Sequence, residues 1–309
     1  MGKAKISLIG GGNIGGVLAQ LAVEKELGDV VLFDIVEDMP QGKALDISHA
    51  LPVAGSDSRV LGTNDYADTA GSDLYIVTAG LARKPGMSRD DLLAKNLEII
   101  KDVAKNIRQH SPEAIVIVIS NPLDAMVWTM KEITRFPRER VVGMAGILDS
   151  ARFRFFVAEK LDVSVQDVVA MVLGGHGDTM VPLPRFCSVS GIPLRSLMDD
   201  ATIEAIVQRV RGAGGEIVGL LKTGSAFVSP AHAAIEMAEA ILRDQKRVLP
   251  CAAYLEGEYG TSGIYMGVPA QLGAGGVERI FELDLEPAER QELKRSIEHV
   301  QTLISQIKL

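Results

Sequence analysis

Residues that can move a proton and bind a carboxylate occur in two short segments of this chain. Asp149 and Arg152 are three positions apart, and His176 follows further along the chain between two glycines. Histidine is a general acid–base group near neutral pH, a carboxylate can hold one of its ring nitrogens, and a guanidinium can bind a carboxylate through two parallel hydrogen bonds. These residues indicate proton transfer on a carboxylate-bearing substrate. Taken alone, they leave open a helix-surface pair and a histidine that merely lines a turn.

A second group of residues, at the amino terminus, is typical of dinucleotide binding. Residues 5–9 are predicted to form a buried strand, and the pattern G-x-G-x-x-G follows at once in Gly10, Gly12 and Gly15. A helix and a second strand ending at Asp34 come next. In this pattern the glycines permit a tight turn, close approach of the backbone to a pyrophosphate, and close helix–strand packing. The N-terminus of the helix attracts phosphates, and the Asp34 carboxylate can accept the ribose hydroxyls while repelling a 2′-phosphate. The sequence therefore favours NAD over NADP.

With both ends of the chain considered, the sequence resembles the lactate/malate dehydrogenase family, and within it the lactate-dehydrogenase-like malate dehydrogenases of bacteria. The resemblance extends over nearly the whole chain. It rests on five motifs in order: the glycine motif with Asp34, and residues 78–89, 120–124, 148–152 and 174–178.

The resemblance implies roles for residues that would be ambiguous alone. Arg89 resembles the arginine that polarises the substrate carbonyl. Arg83 stands where lactate dehydrogenases carry glutamine and malate dehydrogenases arginine, so it is expected to pair with a second substrate carboxylate. Asn121 resembles the asparagine that hydrogen-bonds substrate and nicotinamide, and the family has a cis peptide bond between it and Pro122. Ser225 resembles a residue that offers a hydroxyl near the substrate.

The activity implied by the resemblance is NAD-dependent, reversible oxidation of (S)-malate to oxaloacetate, without a metal. His176 and Asp149 are the expected acid–base pair, and Arg152 the expected ligand of the carboxylate beside the reacting carbon. The expected contacts with NAD are Gly10, Gly12, Asn13, Ile14, Gly15, Asp34, Thr78, Ala79, Gly80, Asn96 and Asn121.

Two alternatives remain at this stage. The first is an L-lactate or other 2-hydroxyacid dehydrogenase on the same scaffold. Arg83 favours malate over lactate, because the methyl group of lactate offers a guanidinium nothing to pair with. The second, from a different class of protein, is a non-catalytic NAD-binding module, but the complete set of acid, base and arginine argues against it.

Composition restricts the partners. The chain of 309 residues is 47% hydrophobic and carries a net charge of −8, which argues against a nucleic-acid partner. Cys187 and Cys251 are far apart and predict neither a disulfide nor a metal site, as in a cytoplasmic protein.

No apolar run approaches the roughly 18 residues of a membrane span, and the first strand begins too early to leave room for a signal segment. The resemblance implies a homodimer or homotetramer, paired through helices such as residues 41–50.

The pattern of elements predicts an α/β fold: a Rossmann-type parallel sheet domain (residues 1–143) followed by a mixed α+β substrate domain (residues 144–309). Continuous Val and Ile runs between helices in the first half indicate a parallel sheet covered on both faces, with residues 141–142 as its last strand. In the second half, three glycines between 212 and 215 predict a bend or break in a helix over residues 204–221.

Overall fold

The computed structural model describes residues 2–81 and 89–309, except for the side chains of residues 89–92. In the first half, strands and helices alternate. They are β1 (Lys5–Ile9), α1 (Asn13–Glu24), β2 (Asp29–Phe33), α2 (Met39–Ala54), β3 (Val60–Thr63), β4 (Leu74–Val77), α3 (Arg89–His110), β5 (Ile115–Val118), α4 (Leu123–Thr134) and β6 (Val141–Gly143).

The second half mixes helices with short and long strands. They are α5 (Gly146–Leu161), β7 (Val168–Val169), β8 (Val172–Leu173), β9 (Val181–Pro182), β10 (Ser188–Val189), β11 (Ile192–Pro193), α6 (Asp200–Leu221), α7 (Val228–Leu242), β12 (Arg247–Glu256), β13 (Ser262–Gly273), β14 (Gly276–Ile280) and α8 (Pro287–Ser305).

The first six strands form the predicted parallel sheet, in the order β6-β5-β4-β1-β2-β3. Its strands are apolar along their whole length because both faces are covered. In β4, Leu74 and Ile76 pack into the core on one face, while Tyr75 and Val77 pack into the core on the other. This alternation is the expected geometry of a strand buried on both sides. The predicted fold class, a Rossmann-type sheet followed by a mixed α/β half, is confirmed.

Residues 141–142 lie in the last parallel strand, as predicted, but the sheet does not end there. The sheet continues from β6 into the antiparallel strands β12, β13 and β14, so that nine strands form one layer. The junction pairs Gly143 with Ala252. A Cβ atom built on Gly143 would lie 2.9 Å from the Ala252 Cβ, so the absence of a side chain lets the two strands approach.

The predicted break in α6 is also not observed, because the helix runs from Asp200 to Leu221 without interruption. A buried apolar face that includes Ile203, Val207 and Val210 holds it against α5. This packing offsets the roughly 1 kcal/mol by which each helical glycine is less favourable than alanine. A Cβ at Gly214 would lie 3.9 Å from a terminal nitrogen of Arg152, so the glycine leaves space beside that guanidinium.

Parallel strands place the following residues at one edge of the sheet. Gly10 follows β1, Thr78 follows β4, Asn121 lies shortly after β5, and α5 begins shortly after β6. Ligands of open α/β folds bind at this carboxyl edge of the strands. Within the described residues, no helix is both long enough and apolar enough to cross a bilayer.

Candidate active site

The loop between β8 and β9 carries His176 and is held from three directions. Gly174 exchanges two backbone hydrogen bonds with Gly267 of β13, at 2.9 and 3.0 Å. The Gly175 N–H donates to Ser296 Oγ of α8 at 2.8 Å, and the His176 N–H donates to Asp124 Oδ2 of α4 at 3.1 Å. The backbone on which His176 stands is therefore tied to the sheet and to two helices.

Asp149 lies in the first turn of α5 and joins the other two groups of the site. Its Oδ2 is 2.9 Å from Nδ1 of His176, and its Oδ1 accepts a hydrogen bond from Nη1 of Arg152 at 3.1 Å. The Asp149 side chain is only 2% exposed, against 15% for His176 and 13% for Arg152. The structure thus brings together the three residues that the sequence singled out first, around one buried carboxylate.

The surroundings of His176 favour the protonated ring. Burial alone would lower the pKa of His176, but the charge and hydrogen bond of Asp149, with a further contribution from the charge of Asp124, outweigh it. The nearby Arg152 cation opposes them, and the net result is a pKa raised above the ordinary 6.5. Because Nδ1 faces Asp149, Nε2 is the nitrogen left to exchange a proton with a substrate.

Arg152 has unused donor capacity. Its Nε is buried without a hydrogen-bond partner among the described residues, and its bond to Asp149 uses Nη1. A buried guanidinium N–H without an acceptor is costly. A carboxylate that accepted from Arg152 would remove this cost, which fits the predicted role of Arg152 in substrate binding.

The turn after β1 has the form that a dinucleotide requires. Gly10 adopts a φ of 110°, in the region that favours glycine. A Cβ on Gly15 would lie 1.9 Å from the Gly10 carbonyl oxygen, so only glycine allows α1 to pack this closely on the turn. Gly12 and Asn13, at the start of α1, are exposed, and no side chain caps the helix. Ile14 is half-buried against the core. The backbone N–H groups at the start of α1 are therefore left for a ligand. Together with the open space above Gly12, they fit the pyrophosphate of NAD.

Asp34 follows β2 and helps to shape the same turn. Its Oδ2 accepts from the Gly11 N–H at 2.6 Å and its Oδ1 from the Val36 N–H at 3.0 Å. Asn64 donates to the Asp34 and Val36 carbonyl oxygens, which fixes the backbone around the carboxylate. Asp34 therefore lies next to the glycine turn, where a ribose beside the pyrophosphate can be reached.

Lys43 of α2 contacts the glycine turn, and the sequence did not predict this. Its Nζ donates to the carbonyl oxygens of Gly11 and Gly12, at 2.6 and 2.8 Å. The ammonium thus holds the glycine turn and brings a positive charge close to it. No pattern around Lys43 signals this contact, because it joins two segments that meet only in the folded chain.

The segments after β4 and β5 are linked by one buried side chain. Asn96 of α3 is 1% exposed; its Oδ1 accepts from the Leu81 N–H at 2.8 Å, and its Nδ2 donates to the Asn121 carbonyl at 2.7 Å. The Asn96 amide therefore bonds the backbone after β4 to the backbone after β5, and both segments contain predicted ligand contacts. The peptide bond between Asn121 and Pro122 is cis, as expected, and Asn121 itself is exposed.

Thr78, Ala79 and Gly80 continue from the end of β4. The Thr78 hydroxyl donates to the Gly10 carbonyl at 3.1 Å, and a Cβ on Gly10 would lie 2.5 Å from Thr78 Oγ1. Ala79 and Thr78 are half-buried and Gly80 is exposed. This strand end thus packs directly against the glycine turn.

The remaining predicted substrate contacts are Arg83, Arg89 and Ser225. Arg83 lies outside the described residues, and Arg89 begins α3 but its side chain lies outside them too. Ser225 is exposed in the connection between α6 and α7. Within the described part of the chain, no cluster of three or more His, Cys, Asp or Glu side chains is arranged to hold a metal ion.

The fold and this arrangement of groups are those of a nicotinamide-dependent dehydrogenase, and comparisons with known proteins define the family. Residues 4–143 match the model described as lactate/malate dehydrogenase, NAD binding domain, and residues 147–308 match lactate/malate dehydrogenase, alpha/beta C-terminal domain. The chain belongs to the lactate/malate dehydrogenase family, and NAD is its cofactor.

Curated relatives match at full length. The malate dehydrogenase of Roseobacter denitrificans is 58% identical over 313 residues, covering 100% of this chain and 98% of the relative. The malate dehydrogenase of Geotalea uraniireducens is 58% identical over 318 residues, covering 100% of both.

Solved structures match as well. Malate dehydrogenase from Salinibacter ruber has a TM-score of 0.94 at 53% identity, covering 97% of this chain and 96% of that one. Lactate dehydrogenase from Cryptosporidium parvum, complexed with lactic acid and nicotinamide adenine dinucleotide, has a TM-score of 0.96 at 48% identity, covering 99% and 98%.

Proposed function

We propose that this chain is an NAD-dependent malate dehydrogenase that interconverts (S)-malate and oxaloacetate. One observation carries the proposal: a single buried carboxylate, Asp149, contacts both the imidazole of His176 and the guanidinium of Arg152. This arrangement places a proton-transfer group beside a cation that can hold a substrate carboxylate. The full-length relatives named malate dehydrogenase support the choice of substrate.

In malate oxidation, Nε2 of neutral His176 accepts the proton of the substrate hydroxyl. Asp149 keeps the ring oriented through Nδ1 and stabilises the imidazolium that forms. Arg152 holds the carboxylate next to the reacting carbon through the donors that Asp149 leaves free. When bound, NAD supplies the acceptor for the hydride that leaves C2 of malate.

The remaining roles complete a dicarboxylate site. We assign Arg89 to the reacting oxygen, whose developing charge its guanidinium would stabilise, and Arg83 to the second carboxylate of the substrate. Asn121 would hydrogen-bond the substrate and the nicotinamide, and Ser225 would offer a hydroxyl to the substrate.

NAD would be held at the carboxyl edge of the parallel strands. The expected contacts are Gly10, Gly12, Asn13, Ile14, Gly15, Asp34, Thr78, Ala79, Gly80, Asn96 and Asn121. We expect Asn96 to act through the backbone of Leu81 and Asn121, because its amide is already bonded to both.

A lactate dehydrogenase on the same scaffold is the alternative, favoured by the similarity to the Cryptosporidium parvum enzyme. The experiment that decides is a substrate panel of oxaloacetate, pyruvate and 2-oxoisocaproate, each with NADH and with NADPH, followed by loss of absorbance of the reduced cofactor. We expect oxaloacetate with NADH to give the highest kcat/KM. A higher value with pyruvate would replace malate by lactate, and no turnover with any pair would point to a non-catalytic NAD-binding module.

We further propose a dinucleotide-binding domain over residues 1–143 and a substrate domain over residues 144–309, with the site where they meet.

Two exposed apolar side chains on α2, Leu45 at 59% and Val53 at 92%, support assembly into a homodimer or homotetramer through this helix. Both cysteines are buried free thiols, and burial raises the pKa of Cys187 to about 12, which is compatible with a cytoplasmic protein.

A further inference from the structure

A second carboxylate, that of Asp124, is buried directly behind His176. Asp124 lies in the first turn of α4, is 5% exposed, and accepts the backbone N–H of His176 through Oδ2 at 3.1 Å. Its other oxygen, Oδ1, is buried without a hydrogen-bond partner among the described residues. A buried carboxylate that is only partly hydrogen-bonded is destabilising unless a nearby positive charge compensates it.

Holding the loop in place does not by itself require a charge. The neighbouring N–H of Gly175 is satisfied by a neutral acceptor, Ser296 Oγ, which is fully buried in α8. A serine or asparagine at position 124 could accept the His176 N–H in the same way. The difference between the two anchors is the negative charge of Asp124. Asp124 accepts from the backbone of His176, and His176 is the residue that becomes a cation in each turnover.

We propose, on the basis of the proposed dehydrogenase function, that Asp124 is a positioning residue: it holds His176 through the backbone and favours the imidazolium through its charge. Asp149 orients the ring from the Nδ1 side, while Asp124 acts from the main-chain side. The imidazolium therefore has two carboxylates near it and one cation, Arg152, that opposes it.

The charges around Asp124 support this coupling. The net pKa of Asp124 is raised to about 7, because burial raises it more than the charge and N–H of His176 lower it; the charge of Asp149 also raises it. From α8, the neutral Ser296 hydrogen-bonds the same loop and the apolar Val300 lies against Gly175. Asp124 thus loses its proton more readily when His176 is charged, so the two ionisations are linked near neutral pH.

The test compares two variants of the loop's buried anchors. Asp124→Asn keeps an acceptor and removes its charge, whereas Ser296→Ala removes a neutral acceptor and changes no charge. In the enzyme without substrate, we expect the NMR-measured pKa of His176 to fall by about 0.5–1 unit in Asp124→Asn and to stay unchanged in Ser296→Ala. The decline of kcat/KM for oxaloacetate reduction with pH should move downward by the same amount, with kcat about three- to ten-fold lower at pH 8 and KM for NADH unchanged.

Two results would overturn the proposal: an unaltered His176 pKa in Asp124→Asn, or equal shifts in both variants, which would make Asp124 an ordinary structural anchor. If Asp124→Asn does not fold, the carboxyl ¹³C resonance of Asp124 in the unaltered protein is titrated instead. Its pKa should rise in His176→Asn, and an unchanged value would reject the coupling. The NMR readouts do not depend on turnover, so a wild-type chain inactive on oxaloacetate would refute the proposed function separately.

Discussion

Oδ2 of Asp149 lies 2.9 Å from Nδ1 of His176, although 27 positions separate the two residues in the chain. The contact is formed because α5 begins just after the last parallel strand, while the loop that carries His176 is tied to β13 and α8. It determines which nitrogen of the imidazole is free to react, and the predictions for His176 and Asp149 depend on it.

Replacing His176 by asparagine should remove turnover and spare cofactor binding. Asparagine cannot exchange a proton at the Nε2 position, and general acid–base catalysis contributes at least about 100-fold to rate. The glycine turn and Asp34 belong to other loops, so the Kd for NADH, measured by fluorescence, should stay near the wild-type value. Near-normal turnover would remove His176 from the mechanism.

Activity should depend on pH in opposite ways in the two directions. Oxaloacetate reduction uses the imidazolium, so its kcat/KM should fall as pH rises through the pKa of His176, which is raised above 6.5; malate oxidation should rise over the same range. Asp149→Asn removes the main charge that raises this pKa and should move both midpoints down by about one unit or more. Asp149→Glu keeps the charge and should hold the midpoints near wild type even where the rate falls. Equal midpoints in all three proteins would contradict this account.

Arg83→Gln should lower activity on oxaloacetate far more than on pyruvate. A second carboxylate desolvated without its partner costs about 2–5 kcal/mol, or a roughly thirty- to several-thousand-fold loss. Pyruvate has no second carboxylate and loses nothing. The measurement is kcat/KM for both substrates in both proteins. A parallel fall would make Arg83 a general residue of its segment.

Cofactor preference should follow Asp34. The native chain should strongly prefer NADH, because the carboxylate repels a 2′-phosphate. Ile35 is 85% exposed, so the pair Asp34→Ser with Ile35→Arg supplies a cation without disturbing the core, and should shift the ratio of kcat/KM toward NADPH. Ile35→Arg alone is the control and should shift it less. Equal use of both cofactors by the native protein would show that Asp34 does not face the ribose.

Assembly should depend on α2. We expect light scattering at micromolar concentration to report a dimer or tetramer. Leu45→Glu should lower the mass, because it places a charge on an exposed apolar position of that helix. An unchanged circular dichroism spectrum would show that the variant is folded. A native monomer, or a variant that assembles normally, would rule out α2 as the contact.

The sequence predicted local features of the fold better than long-range pairing. Continuous Val and Ile runs identified the buried strands, since a strand covered on both faces must be apolar throughout. The antiparallel extension through β12 was missed because no local pattern states which strand will lie beside Gly143. The break predicted in α6 was wrong because burial against α5 outweighs the low helix propensity of glycine.

The candidate site shows the same division. Residue type and spacing singled out Asp149, Arg152 and His176, which the structure brings together. Asp124 belongs to the motif over residues 120–124 but received no role, because its burial and its contact with His176 depend on the tertiary fold. The domain boundary and the roles of Arg83, Arg89 and Ser225 stay predictions.

The pairing of β6 with β12 bears on how this chain can be divided. A fragment cut after residue 143 would keep β6 but lose its neighbour on one side, leaving the buried residues Val141 and Val142 at an open strand edge. Such an edge invites pairing with other chains, so the fragment should aggregate rather than fold alone. The two halves should instead unfold in one cooperative transition, and a protein cut at this point should regain order when the complementary fragment restores the missing strand.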